Sequence, residues 1–311
     1  MLKFMVILLI LSLLTACSGV TTVLPAFYEH SPAAPDKPLS VVVTFDALYE
    51  FASAVGGGRM SISQIIPNGA DAHRFEPAAR DFTALNHADV FIMSGLGFEP
   101  WAQSAVNAAG HDGLIVVDAS GEVEPITVSN EHCCEGASCN NGSYDPHIWL
   151  SLTNAAIMTE NITAAFIRAD PDGANYFAKN RDAFISALED LFQEYYDRFS
   201  ALENRTIVTS HAIFAYLCRD FGLYQVSISG VFAAGEPTAR ALSELVEFCR
   251  QNNITTVLTE YLKSPLVAET LANEIGGTVK TIFTIESAEA GMSYLDRMAV
   301  NLAVIYESLT G

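Results

Sequence analysis

Between Asn175 and Leu202, apolar residues fall at Phe177, Phe184, Leu188, Leu191, Tyr195, Phe199 and Leu202. Their gaps of seven, four, three, four, four and three mark one face of a single uninterrupted helix. At 1.5 Å per residue such a helix is ~42 Å long, comparable with the height of a whole domain. An element of that length constrains the rest of the chain, because it can tie two lobes together with little hinge freedom.

On each side of this helix, apolar runs alternate with helical patterns. Leu39 to Phe45, Met60 to Ile66, Val90 to Met93 and Leu114 to Val117 read as buried strands before it. One of the intervening helices is expected to open at Pro77, with proline in its first turn. Beyond the long helix the alternation restarts, with strands at Thr206 to Thr209, Tyr224 to Ile228, Thr256 to Leu258 and Val279 to Phe283. Strand and helix in alternation imply a mostly parallel sheet with helices on its faces. The expected fold class is α/β, two parallel-sheet lobes joined by one long rigid helix. The expected divisions are a signal peptide at 1–16, a lipidated tether at 17–38, an N-terminal lobe at 39–172, the linking helix at 173–203 and a C-terminal lobe at 204–311.

The signal and tether are read from the start of the chain. Lys3 precedes an apolar run from Phe4 to Leu14, which is too short for the ~20 residues of a membrane span and suits an export signal. Leu14-Thr15-Ala16-Cys17 resembles the bacterial lipobox, in which Cys17 is lipidated and becomes the mature N-terminus. Pro25, Pro32, Pro35 and Pro38 then make a semi-extended surface tether. The expected location is therefore extracytoplasmic, on a lipid anchor in the membrane.

Charge excludes one class of partner. Sixteen Lys and Arg against 36 Asp and Glu leave a formal charge of −20, a surface that repels phosphate backbones and attracts cations. No nucleic acid is expected to bind. Nor is there a His-Glu-x-x-His helix, a Gly-x-Ser-x-Gly elbow or a phosphate-binding Gly-x-x-x-x-Gly-Lys loop. Gly56-Gly57-Gly58 reads as a turn.

Three histidines stand in informative places. His73 lies in the loop Pro67 to His73 after one strand, His147 in Asp145-Pro146-His147-Ile148-Trp149-Leu150, and His211 directly after the strand ending at Thr209 and Ser210. Glu286 follows the last strand, again on its carboxyl side. Ligands of open α/β sheets sit in the crevice outside the carboxyl ends of the strands, so two facing lobes could bring two of these side chains each to one point. Three imidazoles and a carboxylate fit zinc, which takes four ligands at ~2.0 to 2.2 Å in a tetrahedron. Singly, a loop histidine is more often a surface or capping residue, and a lone carboxylate is usually solvated.

The motifs together resemble a family, the zinc-binding solute receptors of bacterial metal ABC importers, and especially its Gram-positive lipoproteins. The resemblance covers essentially the mature chain. It is carried by Asn68-Gly69-Ala70-Asp71-Ala72-His73 with Glu76-Pro77, by Asp145 to Leu150, by Ser210-His211-Ala212-Ile213-Phe214-Ala215-Tyr216 and by Gly235-Glu236-Pro237. It implies that metal is held between the lobes by His73, His147 and His211, with Glu286 in the region of the fourth ligand, and is delivered to a membrane permease. Manganese-selective relatives carry glutamate at the third position, so His211 points to Zn2+, in line with the preference of imidazole for zinc. Ala72 replaces the family's proline before the first histidine. The protein is expected to be a monomeric receptor and no enzyme; the alternatives are a zinc-dependent hydrolase or a surface adhesin.

One departure concerns the polar stretch Ser120 to Tyr144, where many zinc receptors have a histidine-rich loop. Here it reads Glu131-His132-Cys133-Cys134-Glu135-Gly136-Ala137-Ser138-Cys139-Asn140. His132, Cys133, Cys134 and Cys139 could chelate a soft cation as an auxiliary trap, the thiols could form a disulfide, or the loop could be inert. Cys218 and Cys249 are expected to be buried and free.

Overall fold

Valine-rich Leu39–Val43 forms strand β1, the pleated geometry β-branched side chains favour, and its last three residues are buried. In the computed structural model, which describes residues 37–128, 143–231, 238–289 and 291–311, β1 is an inner strand of a parallel sheet. It lies between β2 (Met60–Gln64) and β3 (Val90–Met93), and β4 (Ile115–Asp118) pairs with β3 on the outside. The second sheet repeats this order with β5 (Thr206–His211), β6 (Tyr224–Ser229), β7 (Thr256–Glu260) and β8 (Thr278–Ile282), arranged β6-β5-β7-β8 and parallel throughout. Each sheet therefore has a topological switch point, between β1 and β3 and between β5 and β7, where a crevice opens beyond the strand ends. Cys17, the loop residues His132, Cys133, Cys134 and Cys139, and Gly235-Glu236-Pro237 lie outside the described residues.

The helices in chain order are α1 (Asp46–Gly56), α2 (Ala102–Ala109), α3 (Leu152–Ala169), α4 (Ala174–Ser200), α5 (Ala215–Phe221), α6 (Ala239–Gln251), α7 (Leu266–Ile275) and α8 (Tyr294–Thr310). Helix α4 is continuous and buries Phe177, Phe184, Leu188, Tyr195 and Phe199. It packs on α1 and α3 of the first lobe and on α5 and α8 of the second. Burying each of these rings and the leucine contributes roughly 1.5–3 kcal/mol, so the helix is held along its length rather than at its ends. Its apolar stripe belongs to a single core that runs from Val41 and Trp149 through Phe199 to Tyr294 and Met298, so the two sheets share one hydrophobic interior. Among the described residues no helix is long and apolar enough to cross a membrane.

Two local expectations are corrected. No α-helix opens at Pro77; a 3₁₀ helix runs from Ala79 to His87 instead. Ala78 stays extended because its N–H donates to Asp81 Oδ2 at 2.7 Å, which starts the turn two residues beyond the proline. Strand β5 also runs two residues longer than expected, so His211 ends the strand rather than following it, paired in register with Ser229. Cys218 and Cys249 are buried and free, on α5 and α6.

Candidate metal centre

Three chain segments converge where the lobes meet. The segment after β2 turns at Gly69, whose φ of 84° suits a residue without a side chain. Asp71 then caps a short 3₁₀ turn, Ala72–Arg74, by accepting the His73 N–H at 3.1 Å. Ala72 sits in this turn and is buried. In the second segment, Asp145 Oδ1 accepts both the backbone N–H of His147 at 2.9 Å and its Nδ1–H at 2.8 Å. With Nδ1 committed as donor, the other ring nitrogen, Nε2, carries the lone pair. It lies 3.1 Å from His73 Nε2. The third segment is the end of β5, which holds His211 with ring centroids 5.4 Å from His73 and 5.3 Å from His147.

One nitrogen from each histidine lies within 4.8 Å of the other two. Ligands on a tetrahedron of ~2.0 to 2.1 Å bonds stand ~3.3 Å apart, so the 3.1 Å between His73 and His147 is already near a coordination edge. Glu286 Oε1 is 3.9 Å from His73 Nε2, beside the cluster but outside the set of mutually close ligand atoms, which among the described residues is the three histidines. The structure therefore brings His73, His147 and His211 together, with Glu286 next to His73.

The electrostatics suit a cation. Burial, reinforced by the charges of His147 and His211, drives the His73 pKa down to about 2, and burial also lowers that of His147. Those two imidazoles are neutral and ready to donate a lone pair. His211 behaves differently: burial works to lower it, but the Glu260 carboxylate and the Val231 carbonyl outweigh burial and the net shift is upward. Burial and the nearby Glu260 charge raise Glu286 to about 7. A cavity of about 100 Å³ lies beside Glu286, lined also by Asp71, Glu260 and Lys263. Lys263 Nζ reaches across it to Asp71 Oδ2 at 2.9 Å.

Further bonds hold the two halves of the site in register. Trp149 Nε1 donates to Thr284 O at 2.8 Å, Tyr294 Oη donates to Trp149 O at 2.6 Å, and Gly69 N donates to Ser287 Oγ at 3.0 Å. Glu260, 3.3 Å from His211 Nδ1, is a neighbour of the cluster that reading the sequence missed. Its place is set by the pairing of β7 with β5, which no local sequence pattern announces.

Comparison with known proteins bears on this geometry. A family profile described as the periplasmic zinc-uptake complex component A, ZnuA, matches residues 41–308. A Treponema pallidum (strain Nichols) protein named for metal binding is 39% identical over 304 residues, covering 96% of each chain. The high-affinity zinc uptake system protein ZnuA of Bacillus subtilis (strain 168) is 31% identical, covering 96% of this chain and 94% of its own. Among solved structures, a mutant of the laminin-binding adhesin Lmb of Streptococcus agalactiae superposes with a TM-score of 0.79. It is 31% identical, with 87% of this chain and 99% of that one covered.

Proposed function

The chain belongs to the zinc-uptake complex component A family, and on that premise we propose that His73, His147, His211 and Glu286 capture one Zn2+ between the lobes for delivery to an ABC permease. The convergence of three histidine nitrogens from separate segments carries this reading. Three imidazoles select a borderline-soft ion over the hard cations that prefer oxygen ligands. Glu286 closes the shell, which leaves no open position for the activated water that catalytic zinc requires, so the site stores and hands over rather than reacts.

The receptor is read as extracytoplasmic and monomeric, anchored by a lipid on Cys17. Its negative charge draws cations toward the site and disfavours nucleic acid. The similarity to laminin-binding proteins leaves an adhesin role as a separate property of the surface. The buried imidazole cluster, with His147 fully enclosed, is built for an ion and not for a protein partner.

The test is a zinc titration of the full chain beside His73→Ala, His147→Ala and His211→Ala. Each variant is expected to bind far more weakly than the parent, and Glu286→Ala less so, because water can take its vertex. Unchanged affinity in His211→Ala would end the reading.

A further inference from the structure

An imidazole has two nitrogens, and the partner of one decides which is left for a metal. In the first lobe that partner is Asp145, which holds Nδ1 of His147 and turns Nε2 toward His73. In the second lobe the His211 ring lies between two acceptors. Glu260 Oε1 stands 3.3 Å from Nδ1, an ion-pair approach that has not closed into a hydrogen bond, whereas Nε2 is hydrogen-bonded to the Val231 carbonyl at 2.8 Å. A bound ion must displace one of them.

The two acceptors differ in charge and in mounting. Glu260 ends β7, a strand bonded on both sides by β5 and β8, and its side chain is only 7% exposed. Val231 lies in the turn after β6 and offers a neutral carbonyl. Drawing a donor away from a buried carboxylate costs more than drawing one away from a neutral carbonyl, because the carboxylate carries a full charge in a low-dielectric site. The lower-energy loaded state therefore keeps Nδ1–H on Glu260 and gives Nε2 to the metal. The total charge argues the same way. Zn2+ with three neutral imidazoles and one carboxylate leaves a buried net charge of about +1, which a second carboxylate beside the shell cancels.

Resting on the zinc-site reading above, we infer that Glu260 is the positioning residue of the second lobe, holding His211 Nδ1–H so that Nε2 is committed to zinc. It is the counterpart of Asp145 across the cleft. Ser210 Oγ, 3.5 Å from the same Glu260 oxygen, helps fix the carboxylate.

The test uses the full chain with zinc alone, comparing the parent with Glu260→Ala and Glu260→Gln. Competition titration is expected to find affinity weakened about 10- to 100-fold in Glu260→Ala. Glu260→Gln should lose less, because an amide oxygen still accepts the N–H. Nitrogen-15 NMR of the zinc-loaded imidazoles supplies a readout that a purely structural role would not move. His211 should carry its proton on Nδ1 in the parent and in Glu260→Gln. Zinc affinity within threefold of the parent in a folded Glu260→Ala, or zinc found on Nδ1 of His211 in the parent, would overturn the inference. Should Glu260→Ala fail to fold, the near-isosteric Glu260→Gln and its NMR signature decide alone. A parent that binds no zinc sinks the receptor reading; a parent that binds normally beside an unaffected Glu260→Ala sinks only this one.

Discussion

Arg297→Met is a direct test of whether the two lobes are one cooperative unit. Arg297 is fully buried, with Nη1 2.7 Å from Asp46 Oδ2 and 2.6 Å from Glu289 Oε2, and it donates to Ser287 O at 2.8 Å. Asp46 opens α1 of the first lobe and Glu289 follows β8 of the second, so the guanidinium bridges them. Methionine keeps the length but leaves two carboxylates buried without a counter-charge, which costs about 3–5 kcal/mol. Unfolding entropy of ~2.1 cal/mol/K per residue over roughly 270 residues is about 0.6 kcal/mol/K, so Tm should fall by about 5–9 °C. The loss also depends on pH. Burial raises Asp46 and Glu289, and Arg297 is the group that pulls both back down; without it they rise further. Carboxyls with folded pKa values above their unfolded ones contribute stability at low pH that is lost as pH rises through the folded value. The deficit should therefore be smaller at pH 5 than at pH 8. Scanning calorimetry at the two pH values measures this, with a single transition expected from the shared core. A Tm drop under about 2 °C at pH 8, or an equal drop at both pH values, would refute the reasoning.

Three other outcomes are expected. Zinc affinity should fall as pH drops through about 7, with protons released on binding by Glu286, near 7, and by His211, whose pKa is raised by Glu260 and the Val231 carbonyl against the lowering effect of burial. Burial lowers the pKa of His73 and His147, so neither should contribute; calorimetry in buffers of different ionisation enthalpy that found no proton release would contradict this assignment. Because α4 packs on both lobes and the core is continuous, solution scattering should give the same radius of gyration with and without zinc; a large change would mean the lobes hinge. Under reducing conditions, if His132, Cys133, Cys134 and Cys139 trap metal, the parent should bind a second, weaker zinc equivalent that a variant with Ser at all three cysteines lacks; equal stoichiometry of one in both would eliminate the trap.

Much of the architecture was legible because its signals are local. Valine runs and the seven-and-four spacing along α4 are read within one element, and the histidines sit at strand ends or in motifs. What escaped depends on contacts far apart in the chain. Asp46 and Arg297 look like solvated charges on two helices, and nothing in helical periodicity says that they meet in the interior. Glu260 reads as an ordinary carboxylate until β7 is placed beside β5. The turn at Ala79 went unread because it is set by one side-chain bond from Asp81 rather than by the preceding proline.

The central claim is a zinc ion held by three imidazoles and a carboxylate, and X-ray absorption at the zinc edge tests it most directly, on protein loaded with one equivalent. The account predicts a first shell of three nitrogens and one oxygen at ~2.0 to 2.2 Å, with imidazole scattering beyond it. Sulfur at ~2.3 Å in that shell, or fewer than three imidazoles, would contradict it, because the ion would then have chosen the cysteine loop or another site over His73, His147 and His211.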